Sequence, residues 1–77
     1  MKKEAVEKLF DELIAQQRHR LYTLAQTQVP HITPEDVLQP FDFPQLENFP
    51  PFRHEEGILE GLLSAQAAIL YDWSNDL

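Results

Sequence analysis

Two glutamates spaced four residues apart come closer to a reactive site than any other pair in this sequence. Glu56 and Glu60 would share one face of a helix, and carboxylate oxygens are ligands that suit Mg²⁺. With acids from another helix or subunit they could hold the metal ion of an all-helical hydrolase. Arg53 is the one cation nearby that could grip a phosphate. A Mg²⁺-dependent hydrolase is therefore the alternative, and two solvated carboxylates are the simpler interpretation.

The other reactive residue types lack the neighbours that their chemistry needs. His19, His31 and His54 have no second His or Cys at i+3 or i+4, the spacing of a helical metal site. The chain has no Cys, and its serines, Ser64 and Ser74, have no His beside them in the sequence to activate a nucleophile. We therefore expect no catalytic residue, no metal and no cofactor, and a protein that is not an enzyme.

The charge is acidic and uneven. The net charge is -7, and after residue 20 Arg53 is the only cation against nine carboxylates. Because nucleic-acid binding needs cations that displace counterions, we expect no nucleic-acid partner. No apolar run approaches the roughly 18 residues that span a membrane, so we expect no membrane insertion. The absence of Cys fits a reducing compartment, and we expect a cytoplasmic protein.

A segment rich in proline and phenylalanine separates two helix-like stretches. All six prolines lie between Pro30 and Pro51, and four of the five phenylalanines lie between Phe41 and Phe52. A flexible tether is rich in Gly and Ser instead, and each Pro fixes its own φ and restricts the residue before it. The sequence therefore predicts an ordered connector whose rings are buried in the chain's own core or against a partner. The candidate aromatic interaction residues are Phe41, Phe43, Phe49, Phe52 and Trp73.

Apolar residues recur at helical spacing on both sides of this connector. The pattern predicts one helix over residues 4–28, a connector over residues 29–50 and a second helix over residues 51–74. Within the connector, Thr33 and Pro34 suit the start of a two-turn helix that Pro40 stops, and residues 44–47 suit one more turn. We expect a single all-α domain over residues 1–77, with the long helices as an antiparallel hairpin.

Small and polar residues interrupt the two apolar stripes. Gly57 and Gly61 lie one turn apart inside the second helix, where each costs about 1 kcal/mol relative to Ala. This cost predicts a compensating close contact with the first helix, the connector rings or a second molecule, and the alternative is a groove for an external ligand. Gln17 and Gln66 each fall near the middle of a stripe, where a paired glutamine could fix the register of the helices.

The small size of the chain favours self-association. A domain of 77 residues buries only about 60% of its unfolded surface, and no disulfide adds stability. The sequence therefore predicts a homodimer in which two hairpins form a four-helix bundle. The function we expect is a non-enzymatic protein–protein interaction or assembly module, with the connector rings and the glycine face as its contact surface.

Overall fold

A computed structural model describes residues 2–76, except for the side chains of Phe41 and of residues 74–76. Over this range the chain is all-helical, which confirms the predicted fold class. Two long helices flank three short helical turns. The α-helices are α1 (Lys3–Gln26), α2 (Pro34–Val37), α3 (Pro44–Glu47) and α4 (Pro50–Asp76), and a 3-10 helix covers Pro40–Asp42.

Helix α1 forms because its apolar residues recur every three or four positions. The fully buried residues of this stripe are Ile14, Gln17, Leu21 and Ala25, and the stripe packs against α4. The helix ends at Gln26, two residues before its predicted end. Pro30 accounts for the stop, because it disfavours helical backbone in the residue before it.

A proline begins every helical element after α1. Thr33 caps α2 as the sequence predicts: its hydroxyl accepts from the Asp36 amide at 3.2 Å, and its own amide donates to Asp36 Oδ2 at 3.1 Å. However, α2 makes one turn rather than the predicted two. Pro40 pushes Gln39 out of helical geometry, to φ -130° and ψ 64°.

Helix α4 uses two prolines in its first turn. The first amide hydrogens of a helix have no hydrogen-bond partner within it. Because Pro50 and Pro51 have no amide hydrogen, they leave no unpaired donor at these positions. The carbonyl of Phe49 accepts the first two hydrogen bonds, from the amides of Phe52 and Arg53. The end of the predicted connector therefore belongs to α4, and Phe52 lies in its first turn.

The two long helices form an antiparallel hairpin that the connector closes at one end. Ala25 near the end of α1 and Phe52 near the start of α4 belong to one buried cluster. Ile32 and Leu46 of the connector complete its core together with Leu21. The molecule measures 45 × 18 × 17 Å, so the hairpin extends well beyond this core.

One polar contact links the two long helices just beyond the core. The Gln17 side chain is 5% exposed, and its Nε2 donates to the Glu55 main-chain carbonyl at 2.8 Å and to Glu55 Oε2 at 3.1 Å. Gln17 thus bonds Glu55 and not the predicted Gln66, which is half-buried about three turns further along α4. Both acceptors belong to one residue, and a role of this contact in fixing the register of the helices stays a prediction.

Replacing Phe52 by Ala should remove most of the stability of the chain. Its ring is fully buried, and Phe→Ala changes in cores cost about 3–5 kcal/mol. Phe43→Ala is the matched control, because Phe43 is only half-buried against the same cluster. We expect a smaller loss for Phe43→Ala in urea denaturation followed by circular dichroism. Equal losses would contradict a core centred on Phe52.

Replacing Gln17 by Glu should destabilise the hairpin more than replacing it by Leu. The glutamate removes the donor and sets a carboxylate against the Glu55 carbonyl and carboxylate, and an unmade buried hydrogen bond alone costs about 1–3 kcal/mol. Leu also removes the donor, but it adds no charge and Glu55 keeps access to water. Urea denaturation at neutral pH measures the difference. A Glu variant as stable as the Leu variant would mean that the contact does not hold the helices in register.

Candidate functional site: two interaction surfaces

The predicted aromatic interaction residues differ in how accessible the structure leaves them. Phe52 is fully buried in the chain's own core, so its ring is not available to a partner. Phe43 and Phe49 pack against that core and are half-buried. Trp73 is half-buried near the end of α4, and the side chain of Phe41 lies outside the described residues. A contact role for the half-buried rings stays a prediction.

Gly57 and Gly61 do not mark a close crossing within the chain. A Cβ atom added at either position would meet nothing within 4 Å, and both residues are exposed on α4. The predicted contact with the first helix or with the connector rings is therefore wrong. By helical position both glycines lie on the side of α4 that faces away from α1. A contact with a second molecule stays a prediction.

The connector residues around α2 lie on one flank of the hairpin. Arg18 and Tyr22 of α1 and Glu56 and Leu63 of α4 border the connector residues around α2. At 100° per residue, the opposite flank of α1 carries Val6, Leu9 and Leu13, and that of α4 carries Ile58, Leu62 and Ile69. In an antiparallel pair these two opposite flanks lie on the same side of the molecule. We call these six residues the open face.

The six residues of the open face are apolar, and toward the connector end the same flank continues with Arg20 of α1 and Glu55 of α4. Four of its side chains, those of Leu9, Leu13, Ile58 and Ile69, are 38–47% exposed, while Val6 and Leu62 are half-buried. The charged residues of the same stretches fall elsewhere around the helices; they are Glu7, Lys8, Asp11, Glu12 and Glu60. In a chain with net charge -7, an uncharged apolar strip of this length is the kind of surface that a partner covers.

A groove lies on the covered flank, between the connector and the long helices. Its volume is about 440 Å³, which falls within the usual size of binding pockets. Leu21 and Tyr22 of α1, Val37 and Leu38 around α2, and Leu59 and Leu63 of α4 supply its apolar wall, and Pro34 and Pro40 close its connector side. Leu38 is 66% exposed at the edge of this groove.

Carboxylates surround the same groove. Glu35, Glu56 and Glu60 line it together with a single cation, Arg18. Arg53 Nη1 lies 3.0 Å from Glu56 Oε1, which occupies that carboxylate in an ion pair. The groove therefore combines an apolar wall with a negative rim.

The geometry gives the hydrolase alternative no added support. Glu56 and Glu60 lie near each other on α4, but the described part of the chain contains no group of three or more His, Cys, Asp or Glu side chains that could hold a metal ion. His19, His31 and His54 are all exposed. The lack of enzymatic activity stays a prediction.

The sequence did not reveal the groove, although it contained one indication. Val37 ends the short capped helix α2, and Leu38 follows it directly before Gln39 and Pro40. Apolar residues on so short a helix need a neighbour to cover them. The residues that pack against Val37 and Leu38 depend on how the connector folds back over the hairpin. The hydrophobic periodicity of α1 and α4 does not determine this path.

Replacing Gly57 or Gly61 by Ala should stabilise the chain. Both positions are helical with open space for a Cβ atom, and Ala is favoured over Gly by up to about 1 kcal/mol in a helix. We expect the melting temperature to rise by roughly 4–8 °C per kcal/mol in a domain of this size. The matched control is Ala68→Gly, an exposed position of the same helix, which should lower it. A loss of stability in either Ala variant would show that a second molecule contacts the glycines closely.

Neither long helix has the properties of a membrane span: within the described residues, no helix combines the length and apolar character that crossing a bilayer requires. In comparisons with known proteins, no family model, no curated protein and no solved structure matches the chain.

Proposed function

We propose that this chain is a non-enzymatic protein–protein interaction module that forms a homodimer through its open face. The single observation that carries the proposal is the incomplete burial of α4. Phe52 is fully buried, but between residues 53 and 73 of this helix no side chain is. A long amphipathic helix normally buries an apolar stripe along its length, whereas α1 covers the stripe of α4 only in part.

The exposed area of the chain supports the same proposal. A compact monomer of 9.0 kDa is expected to expose about 4,900 Å². The chain exposes 5476 Å². Its radius of gyration is 14.8 Å, against about 11–12 Å for a compact domain of this length. The excess of exposed area is typical of an elongated hairpin, and a partner that packs along the hairpin would reduce it.

A second copy of the chain fits this face in chemical character. A two-fold dimer brings the same patch of both subunits together, and none of the six residues of the open face is charged. On α4 the open face runs from Ile58 to Ile69, which corresponds to about 16 Å of helix. Four helices then enclose one core, as in a four-helix bundle.

The dimer is expected to respond to salt. Each subunit has a net charge of -7, so two subunits repel each other away from the uncharged face. Salt screens such repulsion, and raised ionic strength should therefore tighten the dimer. A cytoplasmic location belongs to the proposal as well, since a chain without Cys suits a reducing compartment.

The homodimer is tested by sedimentation of the wild-type chain and of the Leu9→Gln variant at micromolar concentration. We expect a dimer for the wild type. Burial of one Leu contributes about 1.5–3 kcal/mol, so the variant should dissociate at least tenfold more readily. The matched control is Leu38→Gln, which alters an exposed leucine outside the open face and should leave the dimer intact. A wild-type chain that sediments as a monomer at every concentration would refute the proposal.

A further inference from the structure

We propose that the groove between the connector and the long helices is a docking site for a basic amphipathic helix of a partner protein. The inference rests on the proposed function, since it assumes an interaction module, and it names the class of partner. It concerns the flank of the hairpin opposite the open face. The two surfaces are therefore separable by substitution.

The apolar wall of the groove supplies the anchor sites. Leu59 and Leu63 lie one turn apart on α4, and Leu38 faces them from the connector side. Leu38 is 66% exposed and Leu63 is 36% exposed, so both lose contact with water when an apolar side chain enters. These positions suit partner residues that are also one turn apart, the pattern of a helix laid into a groove.

The length of the groove determines how much of a partner helix it can hold. On α4 the lining residues run from Glu56 to Leu63, which corresponds to about 10 Å of helix. This distance accommodates about two turns of a second helix, or two anchor residues. A longer partner helix would extend past the groove without further apolar contacts.

The rim determines the charge of the partner. Glu56 is held by Arg53, whereas Glu35 and Glu60 are exposed and make no ion pair with any described residue. Arg18 is the only cation in the lining, so the rim has an excess of negative charge. Lys or Arg residues flanking the anchors would meet Glu35 and Glu60 on opposite sides of the groove, one on the connector and one on α4.

Three synthetic peptides test this inference by fluorescence anisotropy. The first is a short helical peptide with leucines one turn apart and lysines on both flanks. The second carries glutamates in place of the lysines, and the third carries glutamines in place of the leucines. We expect saturable binding of the first peptide only, weakened by added salt. Equal binding of the second or third peptide would overturn the proposal.

Substitutions in the protein locate the binding surface. Each exposed charge pair contributes a factor of about 1.5 to 5 in affinity, so the double variant Glu35→Gln, Glu60→Gln should bind the lysine peptide about 2- to 25-fold more weakly. The double variant Glu4→Gln, Glu12→Gln makes the same change in net charge on exposed positions of α1 and should bind normally. Leu38→Gln should bind at least as weakly as the first double variant.

Circular dichroism and sedimentation of the same variants separate the possible failures. Leu38 is exposed, so its replacement should leave the helix content unchanged. If Leu38→Gln binds the lysine peptide like the wild type, the groove proposal is wrong. If Leu38→Gln instead dissociates the dimer, a second copy occupies the groove and the proposal is likewise wrong. If the wild-type chain is monomeric but binds the peptide at the groove, the open-face dimer fails and the docking site stands.

Discussion

Burial of the Phe52 ring determines how the two long helices meet. The ring is enclosed by residues from α1, from the connector and from α3, so it joins segments that are distant in sequence. Pro50 and Pro51 start α4 immediately before this ring. One turn later, the Gln17 side chain of α1 bonds Glu55 of α4. These two contacts join the long helices at the connector end.

The way in which the connector packs against the two long helices accounts for both proposed interaction surfaces. The connector residues around α2 fold back over one flank of the two packed helices. On that flank they leave a groove, because α2 makes one turn and its last residues stand beside α4 without filling the space. On the other flank, Leu9 and Ile58 are exposed. The hairpin therefore has an apolar groove on the side of α2 and exposed apolar side chains on the other side.

Local rules predicted the elements well and their packing poorly. The hydrophobic periodicity predicted α1 and α4, and Thr33 with Pro34 predicted the start of α2. Each of these features depends on neighbours within about four residues of the chain. Gly57 and Gly61 show the limit. Their spacing suggested close packing, but the spacing does not tell which direction they face, and they lie on the outer side of α4. Similarly, Phe43, Phe49 and Phe52 have comparable sequence surroundings, and only the tertiary fold separates the fully buried ring from the others.

The stability of the hairpin is unevenly distributed along its axis. Full burial is confined to the connector end, from Ile14 of α1 to Phe52 at the start of α4, and the described residues toward the other end are at most half-buried. Local unfolding needs less free energy where few apolar contacts must break. In an isolated subunit the first turns of α1 and the last turns of α4 should open together without disrupting the core. Amide hydrogens there would exchange with solvent long before those around Leu21 and Leu46, and association of two subunits would remove this difference.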